Sequence, residues 1–115
     1  MPEEMQRNIQ VVDAPDLDSF DLSKINNSLA TAYDKLQRIA NNDLSMVLHF
    51  KEYNTAGRRE KFSVHLRLAF PGNNVVASAV SWKAPDAVQQ ALRILERETI
   101  ELIKRKEEKP TTRQS

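Results

Sequence analysis

The 115-residue chain has no cysteine, only two glycines and no long hydrophobic run. Without cysteine there is no disulfide, no thiolate nucleophile and no Cys-based zinc site. With glycine only at Gly57 and Gly72 there is no phosphate-binding glycine loop, and no G-x-S-x-G or P-loop motif occurs. No apolar stretch approaches the roughly 20 residues that span a bilayer, and the polar, acidic start does not resemble a signal peptide. We therefore expect a cytoplasmic protein that is not an enzyme and uses no cofactor, small-molecule substrate or membrane.

The length fits one domain, because a chain of this size buries roughly two thirds of its unfolded surface. We expect a flexible start over residues 1–7, one folded domain over 8–106 and a disordered tail over 107–115. Residues 1–50 hold 4 Lys or Arg against 8 Asp or Glu, whereas residues 51–115 hold 13 against 8. Although the formal net charge is only +1, the basic second part indicates a surface that faces a polyanion.

Hydrophobic periodicity divides the chain into strands and helices, because alternating apolar residues predict strands and steps of three and four predict helices. The predicted elements are a strand at 8–12, a helix at 22–41, strands at 44–53, 61–70 and 75–82, and a helix at 86–106. The helix N-caps are assigned to Asp21 or Ser23 in the first helix and to Asp86 in the second, and Asn41-Asn42 is expected to end the first.

The predicted element order is β-α-β-β-β-α. Because the strands alternate between apolar and polar residues, the sheet needs cover on one face only, and both helices are expected on that face. The sequence therefore predicts an α+β fold in which a four-stranded sheet carries two helices on one side.

Basic residues fall in rows on the predicted outer surfaces when helical positions are placed about 100° apart. Such a spaced set is what binding to RNA phosphates requires, because each neutralised phosphate releases condensed counterions. The candidate RNA contacts are Lys35 and Arg38 in the first helix, Lys51 and Arg67 on the open sheet face, Arg58 and Arg59 in the loop between the second and third strands, and Arg93, Arg97 and Lys104 in the second helix.

The same charges also fit ordinary solvated faces. Glu96, Glu98 and Glu101 share the last helix and are placed to pair with its own Arg and Lys residues. The pattern of charges alone leaves these two interpretations open.

Two aromatic features have competing interpretations. His49 and His65 are predicted to lie on the same sheet face, where neutral surface imidazoles are favoured over a metal or acid-base site completed by a carboxylate such as Glu52. For Trp82, closure of the core against the last helix is favoured over stacking on a nucleobase.

Three short motifs connect the chain to a known family: Asn8-Ile9 at the first strand, Tyr33-Asp34-Lys35-Leu36 late in the first helix, and a Ser-x-Lys-x-x-Asp junction formed by Ser81, Lys83 and Asp86. With the element order and the basic rows, these motifs make the chain resemble the ribosome hibernation promoting factor and ribosome-associated inhibitor A family, also called sigma-54 modulation proteins. The resemblance runs from about residue 8 to residue 106.

The resemblance implies a fold similar to double-stranded RNA-binding domains and a stress-response role in translation regulation. Such a protein binds ribosomal RNA of the small ribosomal subunit between head and body, and so blocks the messenger and transfer RNA sites. It further implies a short form, without the C-terminal domain of longer members, that is monomeric off the ribosome. The basic side chains that it maps onto the RNA contacts are Lys35, Arg38, Arg67, Lys83, Arg93, Arg97 and Lys104.

The remaining alternative is a protein-interaction or homodimeric assembly module that does not bind RNA. It would use an exposed strand edge or the exposed Ile100 of the second helix.

Overall fold

The computed structural model describes residues 7–54 and 60–108 of the chain. The predicted fold class and element order are confirmed, with four strands and two helices. The elements are β1 (Ile9–Val12), α1 (Ser19–Ala40), β2 (Ser45–Asn54), β3 (Glu60–Phe70), β4 (Asn73–Ser81) and α2 (Ala84–Glu108). Within the described residues, neither helix has the length and apolar character needed to cross a membrane.

The strands form one sheet in the order β1-β2-β3-β4. β1 runs parallel to β2, because α1 carries the chain across the sheet between them, and the other two strand pairs are antiparallel. The tight turn between β3 and β4 is made by Pro71 and Gly72, and Gly72 has a φ of 78°, which suits glycine. In this sheet, residues directly opposite one another on neighbouring strands point to the same face.

The core lies between one sheet face and the two helices. Met46 and Leu66 project from the sheet, Leu36 from α1 and Leu95 from α2, and all four are almost completely buried. The side of α2 that meets the sheet also carries small residues, which allow a close approach of helix to strands. These small buried residues are Ala84, Ala87 and Ala91.

The first helix begins earlier than predicted. Its N-cap is Asp18, whose Oδ1 accepts a hydrogen bond from the Asp21 backbone N–H at 2.8 Å, so the assignment to Asp21 or Ser23 was wrong. The first turn carries the exposed Phe20 and makes little contact with the core, so apolar periodicity does not mark it. The predicted stop is confirmed, since Asn41 adopts a left-handed conformation and donates its N–H to the Gln37 carbonyl at 2.8 Å.

The second helix begins at Ala84, so Asp86 is not its N-cap. The Ala87 N–H already donates to the Lys83 carbonyl at 3.0 Å, which places the start of helical bonding before Asp86. Pro85 is tolerated in this first turn because N–H groups there have no helical acceptor. Asp86 instead lies within the turn, where a carboxylate interacts favourably with the helix dipole.

Candidate nucleic-acid interface

Three cations form an exposed line along α2, which we call the α2 stripe: Arg93, Arg97 and Lys104. Their spacing of four and seven residues keeps them within about 40° of one another around the helix and spreads them over about 16 Å along its axis. Leu95, on the opposite side, is fully buried. Among the described residues, none of the three stripe cations forms an ion pair with a carboxylate.

The Glu96 carboxylate bonds to a partner that the sequence did not indicate. Pairing with cations of its own helix was one of the two interpretations left open, but Glu96 accepts a hydrogen bond from Lys35 Nζ of α1 at 3.2 Å. The Lys35 side chain is 50% exposed and that of Glu96 is 25% exposed, so the pair contributes little to stability. Lys35, a predicted RNA contact, is therefore already held by a neighbouring acid.

A groove of about 420 Å³ runs between the helices. It is lined by residues between 27 and 32 of α1 and between 89 and 96 of α2, and later in α1 Lys35 contacts Glu96 of α2. Later residues of one helix thus contact later residues of the other, so α1 and α2 run in the same direction. Hydroxyl and amide groups line the walls of the groove, with Arg93 and Glu96 among the lining residues. The polar wall residues are Asn27, Ser28, Thr31 and Gln89.

Arg38 lies in the last turn of α1 and is exposed. Lys83 is exposed at the junction between β4 and α2, immediately before the positive end of the helix dipole. Arg58 and Arg59, the predicted loop cations, lie outside the described residues. The described candidates are thus distributed over the helical layer, the junction and the sheet.

The open face of the sheet carries the exposed Lys51 and Arg67. Arg67 lies opposite Val47 on one side and Val76 on the other. A concavity of about 280 Å³ lies on this face, and besides these apolar side chains it is lined by cations and imidazoles. These polar lining residues are His49, Lys51, His65 and Arg67.

The two histidines lie on the same sheet face, as predicted, and the structure places them directly opposite each other on β2 and β3. His49 Nε2 lies 2.9 Å from Asp13 Oδ2. Asp13 follows β1 with a φ of 57°, a left-handed conformation that Asp tolerates better than most residues. The Glu52 side chain lies outside the described part of the chain, and the described residues contain no group of three or more potential metal ligands.

Trp82 is not part of the core, so the prediction that it closes the core was wrong. It lies just after β4 and is 48% exposed. The Lys61 ammonium lies over the indole, 4.7 Å from the ring centroid. Alternation along β4 places residue 82 on the open face of the sheet, away from the core.

The Tyr33-Asp34-Lys35-Leu36 motif joins several parts of the fold. The buried Tyr33 hydroxyl donates to the Leu44 carbonyl at 2.8 Å. Asp34 accepts two hydrogen bonds from Arg7, each 2.9 Å long. The hydrogen bond from Arg7 is the main cause that lowers the pKa of Asp34; burial opposes it, and the charges of Arg7 and Arg38 lower the pKa further. Arg7, assigned by the sequence to a flexible start, is thus paired with α1.

Comparisons with known proteins agree with this architecture. The family model described as "Hibernation factor Hib, C-terminal domain" matches residues 8–115. The fold is similar to the N-terminal domain of Protein Y from Thermus thermophilus, with a TM-score of 0.61, 16% identity, and coverage of 85% of this chain and 99% of that one. It is also similar to a ribosomal subunit interface protein from Coxiella burnetii, with a TM-score of 0.55, 17% identity, and coverage of 84% and 97%. No curated protein matches the chain by sequence.

Proposed function

The chain belongs to the hibernation factor family described as the Hib C-terminal domain, and from this premise we propose that it associates with the ribosome and binds small-subunit ribosomal RNA. In this proposal the folded domain occupies the messenger and transfer RNA sites and excludes their ligands. The similarity of its fold to a protein named for the ribosomal subunit interface supports this proposal. A domain that blocks these RNA sites by occupying them needs to bind but does not need to catalyse a reaction, which agrees with the non-enzymatic character of hibernation factors.

The observation that carries the proposal is the α2 stripe. Three exposed cations without a carboxylate partner among the described residues are available to bind phosphates. An Arg or Lys that binds a phosphate releases condensed counterions, whereas a cation already paired with an acid first has to leave its partner. The stripe cations can therefore bind phosphates without first leaving a described carboxylate.

Cations lie both on the helical layer and on the open sheet face, and this supports a binding position in which the domain lies between RNA segments. Lys51 and Arg67 lie on the open sheet face, whereas Arg38 and the α2 stripe lie on the helical layer. A protein that binds a single RNA surface needs cations on one face only. Cations on both faces suit a narrow RNA-lined channel, where an inserted domain blocks other ligands by occupying the space.

The test is sedimentation through a sucrose cushion with small subunits, large subunits and whole ribosomes, at low and high salt. The wild-type chain is expected to pellet with small subunits at low salt and to be released at high salt. The double variant R93Q/R97Q is expected to pellet much less. Its matched control is R105Q/K106Q, which removes the same charge from exposed positions of the same helix but away from the α2 stripe.

Three results would count against this proposal. Equal pelleting of R93Q/R97Q and the wild type would remove the stripe from the contact. An equal loss in R105Q/K106Q would indicate a general charge effect. Failure of the wild-type chain to pellet with any subunit would reject ribosome binding itself.

One observation favours a second candidate, a homodimer formed through β4. This edge strand contains no charged residue, and it exposes Val76 at 60% and Val80 at 46%. Uncharged edge strands with apolar side chains are prone to pair with another strand. Light scattering over a concentration series would detect the dimer, and V80K is expected to abolish it.

A further inference from the structure

An exposed aromatic ring continues the open face of the sheet beyond β4. Phe62 lies opposite Ser81, so the next position along places Lys61 opposite Trp82, in agreement with the ammonium that lies over the indole. Alternation along β4 puts residue 82 on the same face as Val76 and Val80, away from the core. Nearly half of this large apolar side chain is exposed.

The surroundings of the ring are cationic. Lys83 follows it in the chain, Lys61 lies over it, and Lys51 lies one row further along the sheet, opposite Ser63. Arg67 continues the cationic surface on β3, and the described open-face residues of β2, β3 and β4 include no carboxylate. An aromatic side chain surrounded by cations is the combination that binds single-stranded nucleic acid, with bases stacking on the ring and phosphates held by the charges.

We propose that Trp82 and Lys61 form a stacking site for one unpaired RNA base. This inference rests on the proposed RNA binding and adds a contact to a base to the contacts that the basic residues make with phosphates. The base stacks on the indole, and the Lys61 ammonium moves to the adjoining phosphate. The exchange is favourable because a cation over an exposed ring contributes less than a stacked base, and the ammonium gains a phosphate partner.

The chain contains one tryptophan, so its fluorescence reports on Trp82 alone. The full-length chain is titrated at low salt with an eight-nucleotide single-stranded RNA. The control is an abasic ribose-phosphate oligomer of the same length, which keeps the phosphates and lacks the bases. Saturable quenching by the RNA alone is expected. Equal responses to both oligomers would show that only phosphates are bound near the ring, and would overturn the proposal.

Variants extend the test to the ribosome. W82A is expected to weaken binding to small subunits about five-fold or more, whereas W82F retains most of the affinity because its ring still stacks. The dependence of affinity on salt is expected to stay unchanged in W82A, because a stacked base neutralises no phosphate. F20A is the matched control, since it removes another exposed aromatic ring with a lysine over it, on α1 and away from the open sheet face. Thermal melts check that each variant folds.

The outcomes separate this proposal from the proposed function. If wild type and W82A bind subunits equally while base-dependent quenching is absent, the stacking site is rejected and ribosome binding stands. If the RNA quenches the fluorescence but the wild type binds no subunit, the stacking site stands and ribosome binding fails. If W82A abolishes self-association and leaves RNA binding unchanged, Trp82 is a protein contact and the inference is wrong.

Discussion

Replacing Glu96 by Gln is expected to increase RNA affinity, because it releases a cation that is already present. In the wild type, Lys35 Nζ is held 3.2 Å from the Glu96 carboxylate in the groove between the helices. The amide of Gln is similar in shape and carries no charge, so the lysine becomes free to bind a phosphate. Because the pair is partly exposed, the loss in folding stability should stay within about 1 kcal/mol.

The size of the effect follows from counterion release. One additional phosphate contact makes the slope of log affinity against log salt steeper by about 0.7 to 0.9. Between 50 and 200 mM salt this corresponds to roughly a three-fold larger change in affinity. The affinity of E96Q is therefore expected to exceed that of the wild type at low salt and to fall faster as salt is added.

The assay is a salt series of binding to small subunits with wild type, E96Q and the control E98Q. Glu98 is exposed on the same helix, so its replacement changes the net charge equally without releasing Lys35. A double-mutant cycle with K35Q separates the two effects, because K35Q should have little effect in the wild type and cancel the gain in E96Q. If E96Q and E98Q have the same slope, or if K35Q leaves the gain intact, the reasoning about Lys35 is refuted.

Three further predictions concern stability. Y33F leaves a buried backbone carbonyl without its donor and should lower the free energy of unfolding by about 1 to 2 kcal/mol in a denaturant titration, and an unchanged midpoint would contradict the bond. In R7A the pKa of Asp34 should rise toward its ordinary value, which an NMR titration would measure. Because the wild-type pKa of Asp34 is lowered, the Arg7–Asp34 pair stabilises the fold at neutral pH, and this contribution is lost as pH falls through that pKa. D18A should cost about 1 kcal/mol by removing the cap of α1, whereas S23A should have a smaller effect, and equal losses would argue against the cap.

The fold was predictable because apolar periodicity marks the helices and the three long strands, while the residue types of the first strand favour β structure. The alternation in β2 and β3 and the helical spacing of the buried apolar residues around Leu95 in α2 appear in the sequence as they do in the structure. Periodicity does not mark residues that lie outside the core. The first turn of α1 therefore escaped prediction, and the cap was assigned to Asp21 or Ser23 in place of Asp18.

The candidate site was predictable only in part. The exposed positions of the α2 stripe follow from helical geometry, and the shared sheet face of His49 and His65 follows from alternation. The Lys35–Glu96 pair depends on the parallel packing of the helices, which no local pattern specifies. The exposure of Trp82 follows from the alternation along β4, and the prediction that it closes the core was inconsistent with that pattern. Which of the exposed cations bind RNA stays a prediction.

One turn of α1 has a consequence for the cost of binding. Consecutive side chains of a helix point about 100° apart. In this turn Tyr33 binds the backbone just before β2, Asp34 binds Arg7, Lys35 binds Glu96 and Leu36 packs in the core. Rotation of the helix would disturb all four contacts together, so α1 has a single rotational setting against α2. The polar groove is therefore preorganised, and binding avoids much of the entropy loss of ordering its walls.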